Sequence, residues 1–130
     1  MVAAALAASS VREAVASQER YWRELYVSAA VDGVTVEGFI DLLYEAPDGL
    51  VVVDYKTDVV PGEAELDAAM ARYRLQGAAY ALALQEALGR AVERCVFVFV
   101  QPSGARERAI DDLPAAMELV RAELRRRWPR

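Results

Sequence analysis

Three side chains in this 130-residue chain have types and spacing suited to chemistry. Asp41 closes Gly38-Phe39-Ile40-Asp41, and Asp54 and Lys56 lie in Val53-Asp54-Tyr55-Lys56-Thr57. Residues two apart on a strand project from one face, so Asp54 and Lys56 point the same way. The preceding Val51, Val52 and Val53 are apolar, and charges at the end of such a strand are costly unless they have partners or a task. If Ala46 and Gly49 flank a two-residue turn, Asp41 falls directly opposite Asp54, with Cβ atoms about 5 Å apart. Carboxylates that close repel or share a proton unless a cation intervenes. A hard divalent ion such as Mg²⁺, which takes a few carboxylate oxygens plus water, resolves the conflict. A three-residue turn with Gly49 as a bulge is the alternative, and it separates the two aspartates onto opposite faces unless a second bulge restores the register. The chemistry expected of the first register is phosphodiester hydrolysis, with metal activating water and Lys56 stabilising the hydroxide or the transition state. Without metal, the same residues read as a cross-strand network in which Lys56 neutralises an aspartate.

Lys56 stands out in a second way. It is the single lysine among 15 basic residues, so a position that requires a compact ammonium on a thin stem is marked in an otherwise arginine-only background.

The elements that must position these residues follow along the chain. Ser10-Val11-Arg12-Glu13 fits a capping box and predicts a helix from Val11 to about Tyr21. Strands are expected over Leu25–Ala30, Val34–Tyr44 and Leu50–Lys56, joined by the turn signals Asp32-Gly33 and Ala46-Pro47-Asp48-Gly49. After Pro61-Gly62, the alanine-rich stretch Leu66–Leu88 reads as a helix stopped by Gly89. Cys95–Val100 is a buried strand ended by Pro102 and Gly104, and Leu113–Trp128 is an amphipathic helix with its arginines late. Gln76 and Tyr80, four apart, share a face of the long helix and can meet a phosphate or the metal's carboxylates.

Taken together, Gly38-Phe39-Ile40-Asp41-Leu42-Leu43, Asp54-Tyr55-Lys56-Thr57 and Gln76-Gly77-Ala78-Ala79-Tyr80 resemble the nuclease domain of RecB and AddA, helicase–nuclease subunits of the PD-(D/E)xK superfamily. The resemblance runs over about residues 24–101. It implies an α/β fold of order αβββαβα, with a mixed central sheet flanked by helices, and residues 1–130 as one nuclease domain from a larger helicase–nuclease. It implies a Mg²⁺- or Mn²⁺-dependent deoxyribonuclease acting in double-strand-break repair, with Asp41, Asp54 and the backbone carbonyl of Tyr55 as metal ligands. Lys56 takes the catalytic role, and Gln76 and Tyr80 bind or orient DNA. The implied partners are DNA, the helicase portion of the parent chain and a second helicase–nuclease subunit. The chain contains no histidine, whereas the family places a metal-binding histidine on a helix upstream of the G-x-I-D strand. Trimming of that helix is the favoured reading; the others are an acid such as Glu13, Glu19 or Glu24 in its place, or an inactive nuclease fold serving DNA binding or scaffolding. Glu24 and Glu37 rank as lesser site candidates and read more simply as solvated strand residues.

Composition bounds the rest. A hydrophobic fraction of 55% and a charged fraction of 27% describe a folded domain, with no apolar run approaching the roughly 18–20 residues of a membrane span. The apolar start, Met1 to Ala8, lacks the basic segment of a signal peptide. A lone cysteine, Cys95, forms no internal disulfide, and a cytoplasmic setting is expected. With no histidine to activate it, Cys95 is not expected to be a nucleophile. The net charge of −5 argues against tight autonomous DNA binding but not against a site whose metal ions supply the positive charge. Arg125-Arg126-Arg127 reads as a helix-end charge cluster.

Overall fold

The computed structural model describes residues 21–129. The predicted first helix, Val11 to Tyr21, therefore lies outside the described residues except for Tyr21, which opens a strand. Three antiparallel strands come first: β1 (Tyr21–Val31), β2 (Val34–Ala46) and β3 (Gly49–Lys56). Helix α1 (Glu63–Leu88) crosses over to β4 (Val92–Gln101), a hairpin returns as β5 (Gly104–Ala109), and α2 (Leu113–Arg127) follows. The five strands form one mixed sheet in the order β1-β2-β3-β4-β5, parallel only between β3 and β4. The sequence reading lacked β5. Its residues, Gly-Ala-Arg-Glu-Arg-Ala, carry charge and little β-propensity, as suits an edge strand that must not recruit another chain. Arg106 and Arg108 reach from this edge to Glu63, and Arg108 also to Asp67, fastening β5 to the start of α1.

The two hairpins that join β1, β2 and β3 follow their turn chemistry. Asp32 and Gly33, with φ of 50° and 82°, form the turn between Val31 and Val34, the positive-φ pair that a tight two-residue hairpin demands. The second turn is also two residues long: Ala46 pairs Gly49, and the register holds through Leu42 opposite Val53. Helix α1 ends where Gly89 adopts φ 64° and donates its N–H to the Gln85 carbonyl.

The helix-facing core joins Val27, Ile40, Leu43, Val52, Phe97 and Phe99 of the sheet to Leu66, Ala78, Leu82, Met117 and Val120 of the helices. A second cluster on the opposite face contains Leu42, Tyr44, Val51, Val53, Val96, Val98 and Val100. Small residues set the closeness of α1. A Cβ at Gly77 would lie 2.8–2.9 Å from Ile110, Cys95 and Phe97, so only a glycine lets the helix settle at this depth. Burial pushes the Cys95 thiol up to about 12, which keeps it protonated and inert, as the sequence suggested.

Candidate active site

β1 and β2 do not alternate regularly along their whole length. Leu25 and Val27 face the helices, yet Tyr21 packs on the opposite cluster; Val36 and Ile40 face the helices, yet Leu42 and Tyr44 do not. The alternation resets at Glu24 and Asp41, the one facing pair missing from an otherwise continuous ladder, and pairing resumes in the same register on either side. Glu24 carries the strain as φ 51°, an unfavourable backbone for a residue with a Cβ. The reset lies where the β2–β3 ladder stops, one pair past Leu42 and Val53. There Asp41 turns its carboxylate toward β3, and Oδ2 accepts the Tyr55 backbone N–H at 2.7 Å. A side chain thus takes the place of a ladder carbonyl, and Asp41 is brought to the end of β3 beside Asp54.

Asp54 continues the helix-facing side of Val52 and is 8% exposed. Its Oδ2 is buried and accepts no well-directed hydrogen bond, although the Lys56 ammonium lies 3.2 Å away as an ion partner. Burial, and then the hydrogen bond and charge of the neighbouring Asp41 carboxyl, push the Asp54 carboxyl up to about 6 against the pull of Lys56. Lys56 in turn donates to Gln76 Oε1 at 2.7 Å. Its ammonium sits 4.1 Å from the centre of the Tyr73 ring.

Tyr80 reaches the same place by lying over β2. A Cβ at Gly38 would be 2.4 Å from its ring, so the glycine of Gly38-Phe39-Ile40-Asp41 is the floor on which Tyr80 rests. Burial and the Asp54 charge raise the Tyr80 phenol, keeping it a hydrogen-bond donor at neutral pH. Tyr55 contributes only backbone here, since its ring packs with the opposite cluster.

The structure therefore brings together Asp41, Asp54, Lys56, Gln76 and Tyr80. Glu37 does not join them: it accepts from the Tyr26 hydroxyl at 2.6 Å on an exposed surface. Glu24 faces Asp41 across the ladder gap but adds no third carboxylate, and no group of three acidic, cysteine or histidine side chains forms a metal cage among the described residues. Tyr73 and Asp58 were not singled out from the sequence, although Tyr73 stands three residues before Gln76 on one helix face, and that spacing was the available signal. The helix-end arginines are spent within the chain, Arg125 on Asp32 and both Arg126 and Arg127 on Glu123.

A buried carboxylate oxygen that accepts no directed hydrogen bond and has only the Lys56 ammonium as ion partner, beside a second carboxylate, fits a divalent cation. Two carboxylates share one nearby ammonium, and a further positive partner must tolerate oxygen ligands. Asp41 and Asp54 are the side chains that would hold it.

The PD-(D/E)XK nuclease superfamily profile matches residues 2–130. Among curated proteins, an ATP-dependent helicase/nuclease subunit from Desulforudis audaxviator is 51% identical over 73 residues, covering 54% of this chain and 6% of that protein. Its counterpart from Desulforamulus reducens is 35% identical over 108 residues, covering 71% and 8%. The chain thus spans less than a tenth of the length of the curated relatives it matches. Among solved structures, a candidate exonuclease from Eubacterium rectale superposes with a TM-score of 0.55 at 16% identity, over 89% of this chain and 50% of that one. At that identity the likeness concerns the fold.

Proposed function

Because the chain belongs to the PD-(D/E)XK nuclease superfamily, we propose that it is the divalent-metal-dependent deoxyribonuclease domain of a helicase–nuclease that processes broken DNA ends. The observation that carries this reading is the convergence at one strand end of two carboxylates, one with a buried oxygen that accepts no directed hydrogen bond, with the chain's single lysine as their nearby ammonium. Asp41 and Asp54, with the Tyr55 carbonyl that the resemblance implies, would hold Mg²⁺ or Mn²⁺. When bound, such an ion supplies Lewis-acid activation of water and neutralises charge at the phosphoryl group.

The chain's own residues do the rest. Asp41 is oriented by the Tyr55 N–H, which fixes its second oxygen relative to Asp54. Lys56 presents a compact positive charge that stabilises the developing negative charge of the transition state. Gln76 holds that ammonium through Oε1, a positioning task in addition to the contact with DNA implied by the resemblance. Tyr80 offers a protonated hydroxyl to a phosphate. No helix among the described residues is long and apolar enough to cross a membrane; a cytoplasmic setting, the helicase portion and a second helicase–nuclease partner belong to the proposal.

The test is digestion of linear duplex and single-stranded DNA in Mg²⁺ or Mn²⁺ by the protein and by its Asp54→Asn and Lys56→Gln variants. We expect each substitution to lower kcat by a factor of about 10² or more, the scale of losing a transition-state electrostatic contact. Cleavage undiminished by Asp54→Asn would refute the reading. A second reading, a nuclease fold kept for DNA binding or scaffolding, is favoured by the lack of a third ligating side chain among the described residues. It predicts DNA binding that persists without cleavage in every metal.

A further inference from the structure

Lys56 needs more than a charge partner. Lysine is a flexible four-carbon stem carrying a point charge, and its ammonium acts in a fixed place only if something fixes it. Asp54 at 3.2 Å and Gln76 at 2.7 Å approach it through oxygen atoms. The Tyr73 ring lies against it at 4.1 Å, with Phe97 further off at 5.8 Å. Tyr73 is itself clamped. Its hydroxyl donates between the two oxygens of Asp58, at 2.9 and 3.0 Å, and Arg72 holds the same carboxylate at 2.8 Å. Its ring also packs against Phe97, with centroids 5.9 Å apart. Asp58 lies just beyond Lys56 in the chain, so the clamp ties the segment after β3 to the helix that carries Gln76.

We propose that Tyr73 is a positioning residue for Lys56, its π face holding the ammonium against Asp54 and Gln76. The proposal deepens the nuclease reading and rests on Lys56 serving that reaction. A ring face attracts a cation through its quadrupole and offers no proton acceptor. It therefore restricts where the ammonium can go while leaving its N–H groups free for Asp54, Gln76 and the substrate.

The single lysine makes the test direct. Lysine labelled with ¹³C at Cε gives one ε-methylene signal from this chain, and in metal-free buffer we expect it to be displaced upfield by the Tyr73 ring current. Tyr73→Phe should keep that displacement and Tyr73→Leu should lose it. In DNA cleavage with Mn²⁺, Tyr73→Leu should lower kcat about 10-fold while leaving the KM for DNA and the Mn²⁺ affinity unchanged, and Tyr73→Phe should restore most of the rate. An unmoved ε-methylene signal in Tyr73→Leu would overturn the proposal, as would a Tyr73→Phe variant as impaired as Tyr73→Leu. If the wild-type protein cleaved no DNA, that result would count against cleavage by this chain alone and, if shared by the full-length parent, against the nuclease reading, and the ε-methylene signal would still decide the role of Tyr73.

Discussion

At Asp54, burial and the adjacent Asp41 carboxyl raise proton affinity, and the result is a residue that costs stability at neutral pH. Its folded-state pKa of about 6 exceeds the roughly 3.9 of an unfolded aspartate, so the native state holds the extra proton between those values. By linkage, the contribution of Asp54 to the stability of the metal-free protein is fully present below about pH 4 and falls by up to about 3 kcal/mol as pH rises through 6. This comes on top of the opposite trend from carboxyls such as Glu123, which is held down to about 2 by Arg126 and Arg127. Denaturation in EDTA across pH 4–7 should trace that decline. Asp54→Asn should flatten the profile and make the metal-free protein more stable at pH 7 while abolishing metal binding, as expected where a site is held at the expense of the fold. A profile equally steep in Asp54→Asn would mean that another group carries the titration. At saturating Mn²⁺ the wild-type loss should disappear, because the ion takes the place of the proton.

Elements place these residues, and here the sequence was legible in some places and not in others. The places of the first two hairpins were readable because Asp32-Gly33 and Pro47-Asp48 have conformational preferences of their own, whereas the register after the second was left open between two turn lengths. The two-residue turn sets it from Ala46 opposite Gly49 to Leu42 opposite Val53 and so carries Asp41 to the end of β3. The reset at Glu24 and Asp41 was not readable, since it arises from two strands distorting together and leaves no glycine or proline as a mark. The edge strand β5 escaped because its charges are chosen for ion pairs with α1 rather than for strand propensity. Gly38 was visible as part of a motif, but its physical reason, the Tyr80 ring lying across it, appears only in three dimensions. Gly38→Ala should therefore displace Tyr80, at a cost of about 1–3 kcal/mol for overpacking, lowering the melting temperature by several degrees. Cleavage should fall while Mn²⁺ affinity is retained. Wild-type melting and cleavage in Gly38→Ala would show that the tyrosine is not held there.

For the whole molecule, charge is the deciding quantity. A net charge of −5 opposes association with a polyanion, and the helix-end arginines Arg125, Arg126 and Arg127 are paired within the chain. DNA binding in EDTA at physiological salt should therefore be weak, with a Kd at or above about 10⁻⁵ M, within the non-specific range. Gel shifts or anisotropy would measure it, and submicromolar binding in EDTA would contradict this view of the surface. The matched region makes up less than a tenth of the length of the curated helicase/nuclease relatives. The central claim, a metal site built by Asp41 and Asp54, is tested most directly by calorimetric titration of Mn²⁺ into the protein and into an Asp41→Ala/Asp54→Ala double variant. The account predicts saturable binding that the double substitution abolishes; equal binding by both proteins, or none by the wild type, would contradict it.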